Sequence, residues 1–218
     1  MKVQDAIHTT IPALHPGDTT EEALGRLMEH HVRHLPVVVD EELVGILSEK
    51  QMMSASGPDA RIGDLLAAHP ISVSPDAHIF DAARMLVDHS LSVLPVADDS
   101  GRYLGLIRRH DIFDQFAQML ATQEPGAILA VEVEPRDYAL AQLIHLIEQN
   151  DAKVRAVASE TPENATDAIR VTLKLNVRDT SRVRHVLEHH GYDVVASFGE
   201  EDRDVHELAD AFMRYLDV

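Results

Sequence analysis

The chain of 218 residues has no cysteine and no tryptophan, and only four tyrosines and five phenylalanines. Without thiols there is no disulfide, no thiolate nucleophile and no cysteine-ligated zinc or iron–sulfur centre, a composition that suits a reducing, cytoplasmic setting. With so few aromatic rings the interior has to be aliphatic, built from Val, Ile, Leu and Ala. Basic side chains are scarce as well: 19 Lys and Arg stand against 37 Asp and Glu, a net charge of −18. Such a field repels a phosphate backbone and an anionic bilayer, so neither nucleic acid nor a membrane surface is expected as a partner. No apolar run approaches the ~18 residues of a membrane span, and no basic stretch leading into an apolar one marks a signal peptide. Catalytic signatures are missing too. There is no nucleophile elbow, no HExxH segment and no glycine-rich phosphate loop, which points away from an enzyme and from any required cofactor. The 14 histidines are the one surplus that could suggest a metal. The pairs His30-His31 and His189-His190 are sequence neighbours that do not share a helix face, so no metal site is expected.

What the sequence does contain is an internal repeat. Sliding the chain along itself until Val3 falls on Ile62 also aligns Asp5 with Asp64, Pro16 with Pro75, Ala23 with Ala82, Leu27 with Leu86, His30 with His89, Leu35 with Leu94 and Pro36 with Pro95. One insertion then brings Gly45 onto Gly105. In the first copy, Asp18 followed by Glu21 resembles a capping box, and Ala23, Leu24, Leu27 and Met28 mark the apolar face of a short helix. Val37–Val39 and Leu43–Leu47, around Asp40-Glu41-Glu42, predict a β-hairpin, with another short helix starting near Ser48 or Glu49. The second copy repeats this with a helix using Ile79, Ala82, Ala83, Leu86 and Val87, strands at 93–97 and 103–107, and a helix from Arg109. A copy of roughly 50 residues is marginal alone, so the two are expected to share one core.

Pro125-Gly126 ends the preceding helix and opens a new unit. Strands at 128–133, 153–159, 168–177 and 194–198 alternate with helices at 138–148 and after Thr180, with Thr180 as cap and Gly191 as the left-handed C-terminal residue. The order βαββαβ predicts a ferredoxin-like sheet with helices on one face and the other face in need of cover. Residues 201–218 have helical periodicity in Val205, Leu208, Ala209, Phe212, Met213 and Leu216 and are expected to form a C-terminal amphipathic helix.

On Leu35-Pro36-Val37 and Leu94-Pro95-Val96, each followed by Gly45-Ile46-Leu47 or Gly105-Leu106-Ile107, the first 120 residues resemble a tandem pair of CBS domains, repeat one over 1–60 and repeat two over 61–120. The resemblance implies a regulatory module that binds an adenine nucleotide, AMP, ADP or ATP, in clefts between the repeats. The family motif continues with Thr or Ser, two residues and Asp. A hydroxyl and free N–H groups at a helix start can receive phosphate, and a carboxylate one turn later can accept both ribose hydroxyls. The first copy reads Ser48-Glu49-Lys50-Gln51 and the second Arg108-Arg109-His110-Asp111, so each retains one half. The second cleft carries the stronger expectation: Ile71, Val93 and Pro95 against the base, with Arg108, Arg109 and Asp111 for phosphate and ribose. Ile11, His34, Pro36, Ser48 and Gln51 form the weaker first cleft.

Residues 126–200 resemble an ACT domain, with Arg136-Asp137-Tyr138 in the position of the effector loop and Tyr138 where that family has glycine. A side chain there would fill the pocket, so a core and dimerisation role leads over amino-acid binding. Two CBS copies followed by an ACT-like unit resemble the acetoin utilisation AcuB-type proteins, which implies an α+β, cytoplasmic, homodimeric regulatory protein linked to acetoin or acetate metabolism. A protein-interaction scaffold with vestigial clefts is the alternative, and any protein target is unknown.

Overall fold

A computed structural model describes residues 1–66, 70–162 and 168–199, and the chain separates into two compact units, residues 1–115 and 116–218. The architecture is mixed α+β. In the first unit, helix α1 (Thr20–Glu29) precedes the hairpin β1 (His34–Val39) and β2 (Glu42–Ser48) and the short helix α2 (Glu49–Met53). The same order recurs as α3 (Ile79–Asp88), β3 (Val93–Ala97), β4 (Tyr103–Arg108) and α4 (Arg109–Met119). Both hairpins are antiparallel, with Pro36 opposite Ile46 and Pro95 opposite Leu106. Proline has no N–H to give, but its carbonyl is still useful. Leu14 and Val73 donate their N–H groups to the Pro36 and Pro95 carbonyls at 2.8 and 3.0 Å, adding a short parallel rung to each hairpin.

The aliphatic core expected from the composition is shared between the copies: Leu35, Val37 and Leu47 of the first pack with Val93 and Leu106 of the second. The opening turns are also exchanged. Val3 and Gln4 donate to the carbonyls of Ala77 and Pro75, while Ile62 and Gly63 donate to those of Asp18 and Pro16. Each copy's first residues therefore dock on the other copy, which its sequence offset does not reveal.

Two local expectations are corrected. The capping box of α1 sits one residue later than Asp18 and Glu21: the Thr19 hydroxyl accepts from the Glu22 N–H, and the Glu22 carboxylate accepts from the Thr19 N–H at 2.9 Å. Asp18 is occupied by the His15 N–H and the Arg26 guanidinium, both at 2.9 Å. Met28 and Val87 are 75% and 70% exposed, not part of the apolar face. Each lies ~100° around its helix from the fully buried Leu27 or Leu86 that precedes it.

The second unit runs β5 (Ile128–Val133), α5 (Leu140–Glu148), β6 (Val154–Glu160), β7 (Ile169–Leu175), α6 (Ser181–His189) and β8 (Asp193–Phe198), which is the order βαββαβ. The sheet is antiparallel in the order β6-β7-β5-β8. Leu129, Val131, Val171 and Leu173 face Leu143, Ile147, Val183 and Leu187 in its aliphatic core. Helix α5 starts at Leu140 rather than Tyr138, because Pro135–Asp137 form a separate 3-10 turn and Ala139 has a non-helical backbone. Thr180 does not cap α6 through its side chain. Its hydroxyl pairs with that of Ser197 at 2.8 Å, and the Asp179 carboxylate accepts the Ser181 N–H instead. The C-terminal helix expected at 201–218 lies outside the described residues.

Candidate functional site

The β4–α4 junction gathers the charged residues of the second cleft. Arg108 ends β4 directly opposite Val93 on β3, and Asp111 lies in the first turn of α4. Arg108 donates to the Asp111 carboxylate through its backbone N–H at 3.1 Å, through Nε at 3.0 Å and through Nη2 at 2.7 Å. The second partner of this carboxylate is one that sequence reasoning missed: His8 Nε2 lies 3.0 Å from Asp111 Oδ2. His8 arrives by the exchanged opening segment, which pairs His8 with Leu106 through two backbone hydrogen bonds of 2.8 and 3.0 Å. Nothing local in the sequence marks His8, because its role depends on that exchange.

The Asp111 side chain is only 12% exposed. Burial pushes its carboxyl up, but the Arg108 hydrogen bonds and the charges of His8 and Arg108 together outweigh burial and hold it below the usual carboxylate range. Asp111 is therefore a desolvated, ionised acceptor at a helix start. Arg109, the other basic member of the motif, is turned to structure. Its N–H donates to the Ser92 carbonyl and its Nη2 to the Leu86 carbonyl, both at 2.9 Å. His110 is exposed and lies 3.4 Å from Asp114. Ile71 is half-buried, two residues before the Val73 that pairs with Pro95.

The first cleft has the same frame with different chemistry. His34 is opposite Ser48 across the hairpin, as Val93 is opposite Arg108. Ser48 and Gln51 close on each other as a complete capping box: the Gln51 N–H donates to Ser48 Oγ at 3.2 Å, and Gln51 Oε1 accepts from the Ser48 N–H at 2.9 Å and its hydroxyl at 2.7 Å. Gln51 thus fills the place of a ribose acceptor with a neutral amide engaged in capping. Ile11 is buried in the shared core and Pro36 holds Leu14 through its carbonyl.

His34 turns towards the second copy. Its Nδ1 accepts the Ser92 N–H at 3.2 Å and lies 3.1 Å from Ser92 Oγ, which itself accepts the Arg33 N–H at 2.9 Å. Accepting an N–H requires Nδ1 to be unprotonated, so the network assigns a neutral ring with its proton on Nε2. Burial first, then the charges of Arg109 and Arg33, hold the His34 pKa below the ordinary histidine value. The unfolded chain then binds the extra proton more readily, so the contribution of this contact to stability is complete above about pH 6.5 and is lost as pH falls below it. His34→Asn, which keeps an acceptor that cannot titrate in this range, is expected to flatten the acid side of the pH profile of the urea midpoint relative to the parent. Identical profiles would contradict this role.

In the second unit, Arg136 and Asp137 border an open cavity of about 720 Å³ with Glu132, Glu134, His190 and Tyr192. Arg136 pairs with Glu134 at 2.6 Å and reaches Asp137 at 3.5 Å. Tyr138, expected to fill this space, is not among the residues lining it and is 37% exposed. Among the described residues, no group of three or more His, Asp or Glu is arranged to hold a metal ion, and no helix is long and apolar enough to cross a membrane.

Comparison with known proteins gives matches to the CBS domain family at residues 3–57 and 62–118. Inosine-5′-monophosphate dehydrogenase of Korarchaeum cryptofilum is 28% identical over 153 residues, 70% of this chain and 32% of that protein. The chain spans about a third of the length of the curated relatives it first matches. Among solved structures, a protein from Vibrio cholerae named for acetoin utilization (AcuB) is 23% identical with a TM-score of 0.50, covering 56% of this chain and 95% of that one. A CBS domain pair/ACT domain protein of Thermotoga maritima is 20% identical, also with a TM-score of 0.50, covering 55% of this chain and 99% of that one. Likeness at these identities concerns the fold.

Proposed function

Because this chain belongs to the CBS domain family, we propose that it is a non-enzymatic regulatory protein whose second-repeat cleft binds an adenine nucleotide, AMP, ADP or ATP. The observation that carries this reading is the partly buried, ionised Asp111 carboxylate at the start of α4, held between Arg108 and His8. A carboxylate in that setting can accept the 2′ and 3′ hydroxyls of a ribose. Its acceptor positions are filled by Arg108 and His8, so ribose has to displace the guanidinium. The freed Arg108 then meets the phosphate, beside the first-turn N–H groups of α4. Arg108 has no hydroxyl with which to cap the Asp111 N–H as Ser48 caps Gln51, which leaves that donor for an anion. Ile71 contributes the apolar wall for the base, while Val93, whose side chain is enclosed in the shared core, and Pro95 fix the strand behind it. The first cleft, with Ser48 and Gln51 closed on each other, is the weaker site.

Exchange of Arg108 from carboxylate to phosphate makes binding sensitive to ligand charge. Arg108→Ala removes a competitor for ribose and a partner for phosphate together, so adenosine gains affinity while AMP loses it. The preference for AMP over adenosine is expected to fall about tenfold or more, the scale of one charge-assisted hydrogen bond. An unchanged preference would contradict the exchange.

Regulation requires that the nucleotide favour one arrangement of the chain over another. The exposed Met28 and Val87, at matching positions of α1 and α3, support a homodimer formed through these helices. The 126–200 unit is assigned the ACT-like role of core and dimerisation, and acetoin or acetate metabolism is the pathway that the AcuB-type arrangement suggests. A cytoplasmic location fits the absence of cysteine. A second reading, a protein-interaction scaffold with vestigial clefts, is favoured by the closed Ser48–Gln51 box. Native mass spectrometry of freshly purified protein separates the two: a dimer retaining adenine nucleotide supports the sensor, and a chain that stays nucleotide-free with millimolar AMP, ADP or ATP added contradicts it.

A further inference from the structure

Helices α5 and α6 pack on one face of the C-terminal sheet, and three rows of side chains cross the other face. Cross-strand pairing sets Ala158, Thr172, Ala130 and Ala196 in the middle row. Lys174 stands in the row at one end, with Ala156, Ile128 and Phe198, and Glu160, Arg170, Glu132 and Asp193 form the row at the other. The middle row is a floor of small residues with large apolar side chains beside it. Phe198 is 62% and Leu120 42% exposed, and Leu120 lines an apolar cavity of about 230 Å³ with Ala156, Ala158 and Thr172. The two ends differ in charge. Arg170 is held by Glu132 at 2.6 Å and by Glu160 at 3.7 Å, and with Asp193 that row has three carboxylates against one guanidinium. At the opposite end Lys174 supplies a positive charge and gives one N–H to the Gly126 carbonyl at 2.9 Å. The nearby Glu124 is neutralised by Arg155 at 2.6 Å.

We propose that this face docks on the same face of a second copy of the chain, with its rows reversed. The proposal rests on the dimerisation role assigned above to the 126–200 unit and specifies the surface that performs it. A twofold axis along the middle row sets small residues on small residues and brings the Lys174 end of each chain over the acidic end of the other. Aligned sheets cross at about 30°. That rotation carries Lys174 sideways from the partner's Arg170 towards one of the two carboxylates that flank it, the partner's Glu132 or the partner's Glu160. The unreversed pairing sets like on like: the two Lys174 ammonium groups would come together, and Glu160 would face the partner's Asp193. Charge therefore selects the reversed form. The alanine floor lets the two backbones approach closely, and docking takes the exposed Phe198 and Leu120 side chains out of water.

The cysteine-free chain makes this directly testable. In the full-length protein, the single substitution Thr172→Cys is expected to give a covalent dimer with a short bismaleimide, because the middle row meets its own counterpart across sheets ~10 Å apart. Lys174→Cys is expected not to, since reversed rows hold the two copies of that position ~14 Å apart along the strands. Glu188→Cys, on the helical side, is the second negative control. Equal cross-linking at 172 and 174 would overturn the reversed pairing, and equal cross-linking at 172 and 188 would overturn the choice of face. Native mass spectrometry of the Thr172→Cys protein separates this proposal from the role beneath it. A dimer that does not cross-link overturns docking on this face alone, whereas a monomer overturns the dimerisation role as well. Charge reports independently. Adding Lys174→Glu to Thr172→Cys is expected to slow cross-linking about tenfold by setting like charges together, while adding Lys174→Arg leaves it unchanged. Equal rates in these two double variants would overturn the charge-matched docking.

Discussion

Asp111→Ala is expected to weaken adenine-nucleotide binding by about 100-fold. Two hydrogen bonds from ribose hydroxyls to one partly buried carboxylate are lost, and bonds to a charged acceptor contribute about 1.5–3 kcal/mol each. The same substitution leaves Arg108 and His8 without their shared partner, so some of the effect could arise from a disturbed start of α4. Asp111→Asn separates these contributions, because its carbonyl oxygen can still accept the Arg108 N–H while the charge is gone. It is expected to lose at least tenfold in affinity with little change in the unfolding midpoint. Equilibrium titration of AMP, ADP and ATP into both variants checks this, and an affinity equal to that of the parent would remove Asp111 from the site.

Gly105→Ala is expected to destabilise the first unit by about 3 kcal/mol, a size associated with forced backbone conformations and overpacking. Gly105 has φ +141°, and a Cβ there would lie 2.5 Å from Ile7 Cγ2 and 2.7 Å from the His8 carbonyl oxygen. This glycine permits the exchanged opening segment to lie against β4, so its replacement has to push that segment away or bend the strand. Either response moves His8 from Asp111. Urea unfolding should show a midpoint lower by more than ~1 M, given slopes of about 1–3 kcal/mol per molar for small units. Gly45, the matching residue of the first copy, faces the flexible end of the Leu66 side chain rather than backbone. Gly45→Ala is thus expected to cost less, and equal losses at the two positions would contradict the role assigned to the exchanged segment.

The elements that repeat or alternate could be read from the sequence. Val37–Val39 with Leu43–Leu47, and the matching strands at 93–97 and 103–107, predict the two hairpins, and the strand expected at 168–177 is found as Ile169–Leu175 with alternate residues buried. The choice between Asp18 and Thr19 as cap could not be read, because either side chain can accept an N–H and the positions of the His15 N–H and Arg26 decide which is occupied elsewhere. Arg108 and Asp111 were recognisable as a pair with phosphate and ribose chemistry. The direction of Arg109 was not, since the Leu86 carbonyl that holds it belongs to the end of a distant helix. His8 and Ser92 were invisible for the same reason: each acquires its partner from the other copy, and single-chain periodicity carries no record of which copy an opening segment joins.

The most direct measurement is isothermal titration calorimetry of the full chain with AMP, ADP and ATP. Saturable heat at submillimolar ligand, with one nucleotide per chain and the signal abolished by Asp111→Ala but retained by Gln51→Ala, is the predicted result. No heat from any of the three up to millimolar concentration, or binding that depends on Gln51 and not on Asp111, would contradict a nucleotide site at the start of α4.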